Sequence, residues 1–263
     1  MPEASVEIVG RGSDQQQPGH WSERETQERI WSRYIRAADV AKLLLRKANR
    51  RLHGRQIGLT PVVAYNGLVV HDRPEMPAGG MVHAPRLLRA MVELGMGRCD
   101  RLLDFCSGSG HIGYFLLAHG FCRTVAMCDI DAEAIRAAQF TAEVNEISNR
   151  VTAYVSDGLA SIPKSERWDV VVANGPHVVP HKPEDTDIVE FDPGWRVHHD
   201  FYSSVRKFMK PGGKTLLIES AADSDAGTFE PMVLAGGGKM VGAYHLADFL
   251  GRPQPQYVII SQW

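Results

Sequence analysis

The residues in this chain best suited to chemistry are glycines and carboxylates at regular spacings. Gly108-Ser109-Gly110-His111-Ile112-Gly113 has the pattern G-x-G-x-x-G and lies between an apolar segment and a helix-forming one. Glycine tolerates positive φ and lets a ligand come close to the backbone. Asp129 follows about 20 residues later, the spacing at which a carboxylate meets ribose hydroxyls. The pattern predicts a ligand-binding turn, although a tight strand–helix turn without a ligand has the same glycines.

Two kinds of ligand fit such a turn, a nicotinamide dinucleotide and S-adenosylmethionine. Asp104 precedes the turn, where its charge repels a pyrophosphate and attracts the ammonium group of a methionine. No Tyr in the chain is followed by a Lys four residues later, so the usual pair of short-chain dehydrogenases is missing. The alternating pattern begins near residue 100, which leaves too little chain for a separate dehydrogenase domain. S-adenosylmethionine is therefore favoured.

Four motifs, in order, resemble those of class I S-adenosylmethionine-dependent methyltransferases. The first extends from Leu103 to Gly110, the second is Cys128-Asp129-Ile130-Asp131, and the third is Ser156-Asp157-Gly158. The fourth, Asn174-Gly175-Pro176-His177, stands where one branch has Asn-Pro-Pro-Tyr. That branch contains the protein-glutamine N5-methyltransferases of translation release factors and their small-domain relatives. The resemblance covers about Thr60 to Trp263.

The resemblance implies an α/β fold of the Rossmann-like, doubly wound type. It implies a mostly parallel seven-stranded sheet with an N-terminal helical and hairpin appendage. It also implies S-adenosylmethionine as the cofactor, with Asp129 on the ribose hydroxyls and Asp157 on the adenine amino group. The cofactor-binding residues implied by the motifs are Asp104, Cys106, Gly108, Gly110, Asp129, Ile130, Asp157, Gly158 and Asn174.

The catalytic residues implied by the fourth motif are Asn174, Gly175, Pro176 and His177. In methyl transfer to nitrogen, the enzyme must hold the nitrogen lone pair in line with the methyl carbon. The side-chain oxygen of Asn174 and the carbonyl of Gly175 would accept the two N–H bonds of that nitrogen. His177 replaces the family's Tyr and adds a group that titrates near neutrality. These departures favour a small amine or guanidine acceptor over a protein glutamine, unless His177 is simply an exposed loop residue.

Five residues in the segment from 189 to 200 are candidates for binding the methyl acceptor: Glu190, Asp192, Trp195, Arg196 and His199. Glu190 and Asp192 can hold a cationic acceptor, and Trp195 can stack on it. Arg196 instead favours a carboxylate on the acceptor. Both features together suit an amino acid.

A metal site is the alternative interpretation of His198, His199 and Asp200. Adjacent residues diverge around a helix, so we predict no metal there. Glu219 ends a predicted strand and should lie at the same carboxyl edge of the sheet, where open α/β sheets bind ligands.

Strand and helix patterns alternate after Gly97, which indicates a parallel sheet covered by helices on both faces. The predicted strands are 102–105, 124–128, 151–155, 168–173, 214–218 and 256–262, and the predicted helices are 112–119, 132–145 and 197–209. Before them, an Asn66-Gly67 turn predicts a β-hairpin, and a helix is expected near Ala84–Leu94.

The predicted domain organisation has three parts: a disordered arm at 1–21, an appendage at 22–97 and the S-adenosylmethionine-binding domain at 98–263. A capping box at Ser22 to Glu25 predicts a helix to about Arg51. This helix is expected to cover the acceptor pocket or to form a homodimer contact. Its basic end is typical of a solvated helix terminus, with a nucleic-acid contact as the alternative.

Composition narrows the class of partner. The 29 basic and 31 acidic residues give a net charge of −2, which excludes a generally basic coat and argues against nucleic acid as a partner. The four cysteines form no C-x-x-C pair and are typical of reduced thiols, so we expect a cytoplasmic protein. We find no signal peptide and no membrane-spanning apolar run, and we expect no membrane partner.

The leading hypothesis is N-methylation of a small-molecule amine, guanidine or amide, or of an exposed protein side chain. Three alternatives stay open. One is O- or C-methylation with His177 or His199 as base. Another is methylation of an rRNA or tRNA base, and the last is a non-enzymatic S-adenosylmethionine-binding protein.

Overall fold

A seven-stranded sheet organises the computed structural model, which describes residues 58–72, 79–182, 184–185, 187–248 and 251–263. A two-stranded hairpin precedes it. The strands are β1 Thr60–Tyr65, β2 Leu68–Asp72, β3 Cys99–Phe105, β4 Cys122–Asp129, β5 Val151–Val155, β6 Trp168–Ala173, β7 Met209–Ser220, β8 Lys239–Ala247 and β9 Pro253–Gln262. The helices are α1 Gly79–Glu93, α2 His111–Ala118, α3 Ala132–Val144, α4 Arg196–Ser204 and α5 Ala226–Ala235.

The strand order in the large sheet is β5-β4-β3-β6-β7-β9-β8. The first five strands in this order are parallel, and β9 is antiparallel to both β7 and β8. The chain order reverses between β3 and β6, and ligands of such sheets bind at the carboxyl ends of the strands beside this reversal. The predicted Rossmann-like fold class is confirmed.

The central strands are buried on both faces. Side chains alternate along a strand, so Leu102 and Val170 face one apolar layer while Leu103 and Val171 face the other. The first layer lies under helices α1 and α2, and the second contains Phe201 of α4 together with α5. This two-sided burial explains the continuous apolar runs in the sequence and holds the strand ends rigidly in place.

The hairpin is confirmed, and it packs against the large sheet domain. Asn66 and Gly67 both have positive φ, 47° and 92°, as the two central residues of a type I′ turn require. The backbone N–H of Val69 donates to the Asn145 side chain at 2.9 Å, and that of His71 donates to the Thr141 hydroxyl at 2.9 Å. These bonds join β2 to helix α3.

Helix α1 begins at Gly79, earlier than the predicted Ala84. Glycine has a low helix propensity, so the sequence pattern does not predict a helix at Gly79 and Gly80. A Cβ atom at Gly80 would lie 3.1 Å from the Cβ of His111. Close packing of α1 against α2 therefore explains why a glycine lies in a helix there.

Two elements at the end of the chain have no counterpart among the predicted segments. Helix α5 begins with a capping box in which Asp225 and Thr228 exchange hydrogen bonds, and Thr is not the usual Glu or Gln at the second position of this motif. Strand β8 is mostly part-exposed, so its apolar alternation is weak. The predicted helix 197–209 is divided into α4 and a 3-10 turn at Val205–Phe208.

The predicted arm at 1–21 and the predicted helix to about Arg51 lie outside the described residues. The domain boundary at 97/98 therefore stays a prediction. Of the helices in the described ranges, none combines the length and apolarity that crossing a membrane requires.

Candidate active site

The glycine loop joins β3 to α2 and has two glycines in the left-handed region, Gly108 at φ 53° and Gly110 at φ 88°. A Cβ atom at Gly110 would lie 2.4 Å from the sulfur of Met127. At Gly108 a Cβ atom would meet nothing within 4 Å. Gly110 thus allows the loop to pack on the sheet, whereas Gly108 borders open space that a ligand can occupy.

Asp129 ends β4 and holds the glycine loop. Its Oδ2 accepts the backbone N–H of Gly108 at 2.7 Å, and its Oδ1 accepts that of Asp131 at 3.0 Å. Burial raises the pKa of the Asp129 carboxyl group. The neighbouring Ile130 side chain is half exposed and forms an apolar surface at the end of the same strand. This arrangement fits the predicted binding of a nucleoside, with the ribose at Asp129.

Asp104 lies beneath the loop and is fully buried. Its Oδ2 accepts the backbone N–H of Gly113 at 2.8 Å, whereas its buried Oδ1 has no hydrogen-bond partner in the described structure. Burial raises the pKa of this carboxyl group to about 8. The predicted contact with a methionine ammonium depends on Oδ1 and stays a prediction.

Cys106 connects the glycine loop to the fourth motif. It has a positive φ of 53°, and a Cβ atom at Gly175 would lie 3.4 Å from its sulfur. Burial raises the pKa of the Cys106 thiol well above its usual value. A protonated thiol in this position is a packing group and not a nucleophile.

The end of β5 carries Asp157, which is exposed, and Gly158, which borders open space at φ 54°. Arg196 approaches this strand end, with its Nη1 3.6 Å from Asp157 Oδ1 and 3.2 Å from Asp200 Oδ2. Exposed ion pairs of this kind are weak. Arg196 therefore lies beside the strand end at which the adenine is predicted to bind.

Asn174 follows β6 directly and is placed beside the glycine loop, because β6 pairs with β3. Its Oδ1 is buried and has no hydrogen-bond partner among the residues that the structure describes. His177 Nδ1 lies 2.9 Å from the carbonyl oxygen of Gly175. Since a carbonyl oxygen has two lone pairs, Gly175 can still accept a second hydrogen bond.

The acceptor candidates are divided between the surface and the interior. Glu190, Arg196 and His199 are exposed. Trp195 is half-buried, with its ring edge-on to His198 at 5.2 Å. Asp192 is fully buried.

The structure corrects the role predicted for Asp192. Its Oδ1 accepts the backbone N–H of Val197 at 2.9 Å and its Oδ2 approaches that of His198 at 3.3 Å, so both oxygens cap helix α4. Direct contact between Asp192 and an acceptor is not supported. His198 is buried whereas His199 and Asp200 are exposed, and the described residues contain no cluster that could hold a metal ion.

Glu219 lies at the carboxyl edge of the sheet, whereas its contact with His198 was not predicted from the sequence. His198 Nδ1 lies 2.7 Å from Asp192 Oδ2, and His198 Nε2 lies 3.0 Å from Glu219 Oε1. Burial alone lowers the pKa of His198, but Glu219 and Asp192 raise it, with a net value of about 9. Glu219 is the penultimate residue of β7, so its position near a strand end could be predicted from the sequence. The partner of Glu219 comes from helix α4, which no local pattern predicts.

A second missed contact joins the hairpin to the glycine loop. Asp72, at the end of β2, accepts a hydrogen bond from the Ser109 hydroxyl, and its Oδ2 lies 3.3 Å from His111 Nε2. The Tyr65 hydroxyl lies 3.2 Å from His111 Nδ1. All four side chains are buried. The hairpin therefore positions the loop, although it precedes the sheet domain in the chain.

These residues fit S-adenosylmethionine. Three buried oxygens at the carboxyl ends of neighbouring strands have no hydrogen-bond donor in the part of the chain described: Asp104 Oδ1, Asn174 Oδ1 and Glu219 Oε2. Buried oxygens are normally hydrogen-bonded, so such atoms indicate an absent donor. The ligand's ammonium and the acceptor's N–H groups are donors, and Gly108 and Gly158 leave open space for its nucleoside.

Comparison with known proteins identifies the protein family of this chain. The chain belongs to the methyltransferase small domain family, whose members' sequence pattern it matches over residues 83–223, more than half of its length. The predicted resemblance is confirmed.

Two sequence relatives and one solved structure are informative. The chain is 28% identical to a release factor glutamine methyltransferase of Clostridium acetobutylicum over 142 residues, 48% of this chain and 49% of that protein. It is 34% identical to a ribosomal RNA small subunit methyltransferase C of Hahella chejuensis over 132 residues, 50% of this chain and 34% of that protein. A T. thermophilus 16S rRNA N2 G1207 methyltransferase, solved with AdoMet and guanosine, matches with a TM-score of 0.53 and 18% identity. That match covers 78% of this chain and 50% of that one, and it shows the fold.

The alignments span about half and about a third of the lengths of the two curated relatives. The name of the first relative refers to a release-factor glutamine, and the name of the second refers to ribosomal RNA. The expectation that nucleic acid is not a partner is therefore not supported.

Proposed function

We propose that this protein is an S-adenosylmethionine-dependent N-methyltransferase. The proposed acceptor is a small-molecule amine, guanidine or amide, or an exposed protein side chain. One observation carries the proposal: the buried Oδ1 of Asn174 lacks a hydrogen-bond donor among the described residues and lies at the end of β6, beside the glycine loop. An N–H group of an acceptor supplies such a donor.

The chain's part in the reaction is chiefly to position the acceptor. The Asn174 side chain and the Gly175 carbonyl accept two N–H bonds, which directs the nitrogen lone pair toward the methyl group. S-adenosylmethionine, when bound, supplies that methyl group from a sulfonium, and the sulfur keeps the electrons of the broken S–C bond as the N–C bond forms. The nitrogen then releases its extra proton to solvent or to His177.

The cofactor site in this proposal consists of the glycine loop and the carboxyl ends of β4 and β5. Asp129 receives ribose hydroxyls while it still holds the Gly108 N–H group, since each carboxylate oxygen has more than one lone pair. Ile130 provides an apolar face for the adenine, with Asp157 near its amino group. Asp104 Oδ1 is the remaining acceptor for the methionine end.

Calorimetry with S-adenosylmethionine and with NADH tests the cofactor assignment. We expect binding of S-adenosylmethionine and of its demethylated product, and none of NADH. Binding of NADH in place of S-adenosylmethionine would overturn it. Transfer of a tritiated methyl group is then measured against a panel of amines, guanidines, amides, a release-factor protein and ribosomal RNA, to identify the acceptor.

An exocyclic amine of an RNA base is the second candidate acceptor. The observation that favours it is the 34% identity to a protein named as a ribosomal RNA methyltransferase. The net charge of −2 weighs against it, because RNA binding depends largely on basic residues that contact phosphates. Methylation of ribosomal RNA, with none of the small acceptors labelled, would select this candidate.

A further inference from the structure

The buried carboxylate of Glu219 lies next to the proposed catalytic loop without being part of it. Glu219 lines a small pocket together with Ala173 and Gly175, the two chain neighbours of Asn174. Phe105, Val197 and Phe201 supply apolar walls to the same pocket. The pocket has room for about one water-sized group. Any group that fills it is therefore held directly beside the residue proposed to orient the acceptor.

Hydrogen bonding leaves one negative charge unbalanced at this pocket. His198 lies between Asp192 and Glu219, with one ring nitrogen at hydrogen-bond distance from each carboxylate. To donate to both carboxylates, the ring must be an imidazolium, so two negative charges meet one positive charge. The described residues include no Lys or Arg that forms an ion pair with Asp192 or Glu219. A buried charge without a counter-charge is costly.

The unbalanced charge is located on Glu219 and not on Asp192. Both oxygens of Asp192 accept hydrogen bonds from the first turn of α4 or from His198. Only Oε1 of Glu219 has a partner, while its Oε2 is buried with no donor in the described ranges. Glu219 is fully buried, and its carboxylate is the acidic group on the pocket wall.

The surrounding residues hold this arrangement in place. The His198 ring packs against Phe229 at 4.8 Å, and the Trp195 ring meets it edge-on at 5.2 Å. Trp195 has a positive φ of 57°, a backbone conformation that bulky residues rarely adopt and that often marks functional sites. This packing holds the His198 ring between Asp192 and Glu219.

We infer that the pocket beneath Asn174 and Gly175 is a cation subsite, in which Glu219 binds a protonated amino group of the methyl acceptor. An ammonium group has the size of a water molecule, donates several hydrogen bonds and supplies the missing positive charge. The inference rests on the proposed function for the identity of the ligand as a methyl acceptor. It narrows the acceptor to a compound that carries an aliphatic ammonium group.

The test uses methylammonium chloride as the probe, with the full chain and no other ligand. Nitrogen-15 signals of the His198 ring and the Trp195 indole are followed by NMR during titration. Methanol, which has the same shape without the charge, and sodium chloride at equal ionic strength are the controls. We expect saturable shifts with methylammonium only.

Glu219→Gln keeps the shape of the side chain and removes its charge. We expect the affinity for methylammonium to fall at least about tenfold, the loss typical of one charge-assisted hydrogen bond. Glu230→Gln removes an equal charge from an exposed position of α5 and should behave as the wild type. Glu219→Asp keeps the charge and should retain the preference for methylammonium over methanol, which covers the case that Glu219→Gln does not fold.

Two results would overturn the inference: equal shifts with methanol and methylammonium, which indicate a water pocket, or unchanged affinity in a folded Glu219→Gln variant. Calorimetry with S-adenosylmethionine on the same samples separates this inference from the proposed function. If S-adenosylmethionine binds and methylammonium does not, only the cation subsite is wrong. If methylammonium binds and S-adenosylmethionine does not, the subsite stands and the proposed function is wrong.

Discussion

His177 Nδ1 lies 2.9 Å from the carbonyl oxygen of Gly175, two residues before it in the same loop. Because a carbonyl oxygen can only accept, the hydrogen on the imidazole is fixed on Nδ1 and the lone pair is left on Nε2. The contact therefore stiffens a loop that has Gly in place of a proline. It also leaves His177 able to accept a proton from the reacting atom.

Replacement of His177 distinguishes the acceptor atoms. For a nitrogen acceptor that is easily deprotonated, His177→Ala should raise KM more than it lowers kcat, because the side chain shapes the loop. For a hydroxyl acceptor that needs a base, kcat should fall by about 10²- to 10⁴-fold. Steady-state kinetics measured over a range of pH give KM and kcat. Only for a hydroxyl acceptor should kcat also lose its pH dependence near neutrality.

The two loop glycines should differ in their response to substitution. Gly110→Ala places a methyl group against the buried Met127 and Tyr114, while Gly108→Ala adds one to open space at a similar positive φ. The strain of a left-handed residue, about 1–2 kcal/mol, is common to both. We therefore expect Gly110→Ala to lower the unfolding temperature more than Gly108→Ala. Equal unfolding temperatures would contradict the packing role assigned to Gly110.

Asp129→Ala should weaken S-adenosylmethionine binding by about 10- to 100-fold, because the ribose loses a charge-assisted hydrogen bond. The variant also removes the acceptor for the Gly108 N–H group. Calorimetry provides the affinity, and circular dichroism shows whether the fold is retained. Asp187→Ala, an exposed carboxylate on the loop before α4, serves as the control and should bind as the wild type. An unchanged affinity in Asp129→Ala would contradict the proposed ribose contact.

The free energy of unfolding should fall as the pH rises from about 6.5 to about 9. The folded protein holds the His198 proton with a pKa of about 9, above the unfolded value of 6.5. Because the pKa is higher in the folded protein, protonation of His198 stabilises the folded state fully below pH 6.5. This contribution to the free energy of unfolding, on the order of 3 kcal/mol in total, is lost as the pH rises through 9. Denaturant unfolding at several pH values measures this slope.

Glu219→Gln is the matched variant for the pH experiment. It removes the largest of the charges that raise the pKa of His198, so the slope between pH 6.5 and 9 should become smaller. The pKa of Asp104 is also raised, but Asp104 is present in both proteins, so its contribution to the slope is the same in each. Identical slopes would show that Glu219 does not raise the pKa of His198.

Most of the sheet, although not β8, and the positions of the motif residues at its carboxyl edge were predictable from the sequence because both depend on local patterns. β5 and β6 have the predicted bounds, since each is a short run rich in β-branched or aromatic residues between turn residues. The glycine loop and Asp129 were predictable because a turn with positive φ requires glycine and the next strand ends at a fixed distance.

The contacts that cross the fold were not predictable. Asp192 looked like a ligand-binding carboxylate in a polar loop, but it caps α4 and binds His198. For His198 the sequence offered only the alternative of a metal site, which we did not predict, whereas the helix turns its side chain inward toward Glu219, twenty-one residues later. Asp72 was overlooked because it meets Ser109 only after the hairpin folds onto the sheet domain. In each case the partner is set by packing and not by spacing.

In the proposed reaction Asn174 orients the nitrogen that receives the methyl group. The most direct test measures kcat and cofactor affinity of Asn174→Ala, with the acceptor that the panel identifies. We expect a loss of about 2.7–4 kcal/mol in transition-state stabilisation, or 10²- to 10³-fold in kcat. The affinity for S-adenosylmethionine should stay nearly unchanged, because the proposed partner of Asn174 Oδ1 is the acceptor. An Asn174→Ala enzyme with normal turnover would contradict this role of Asn174.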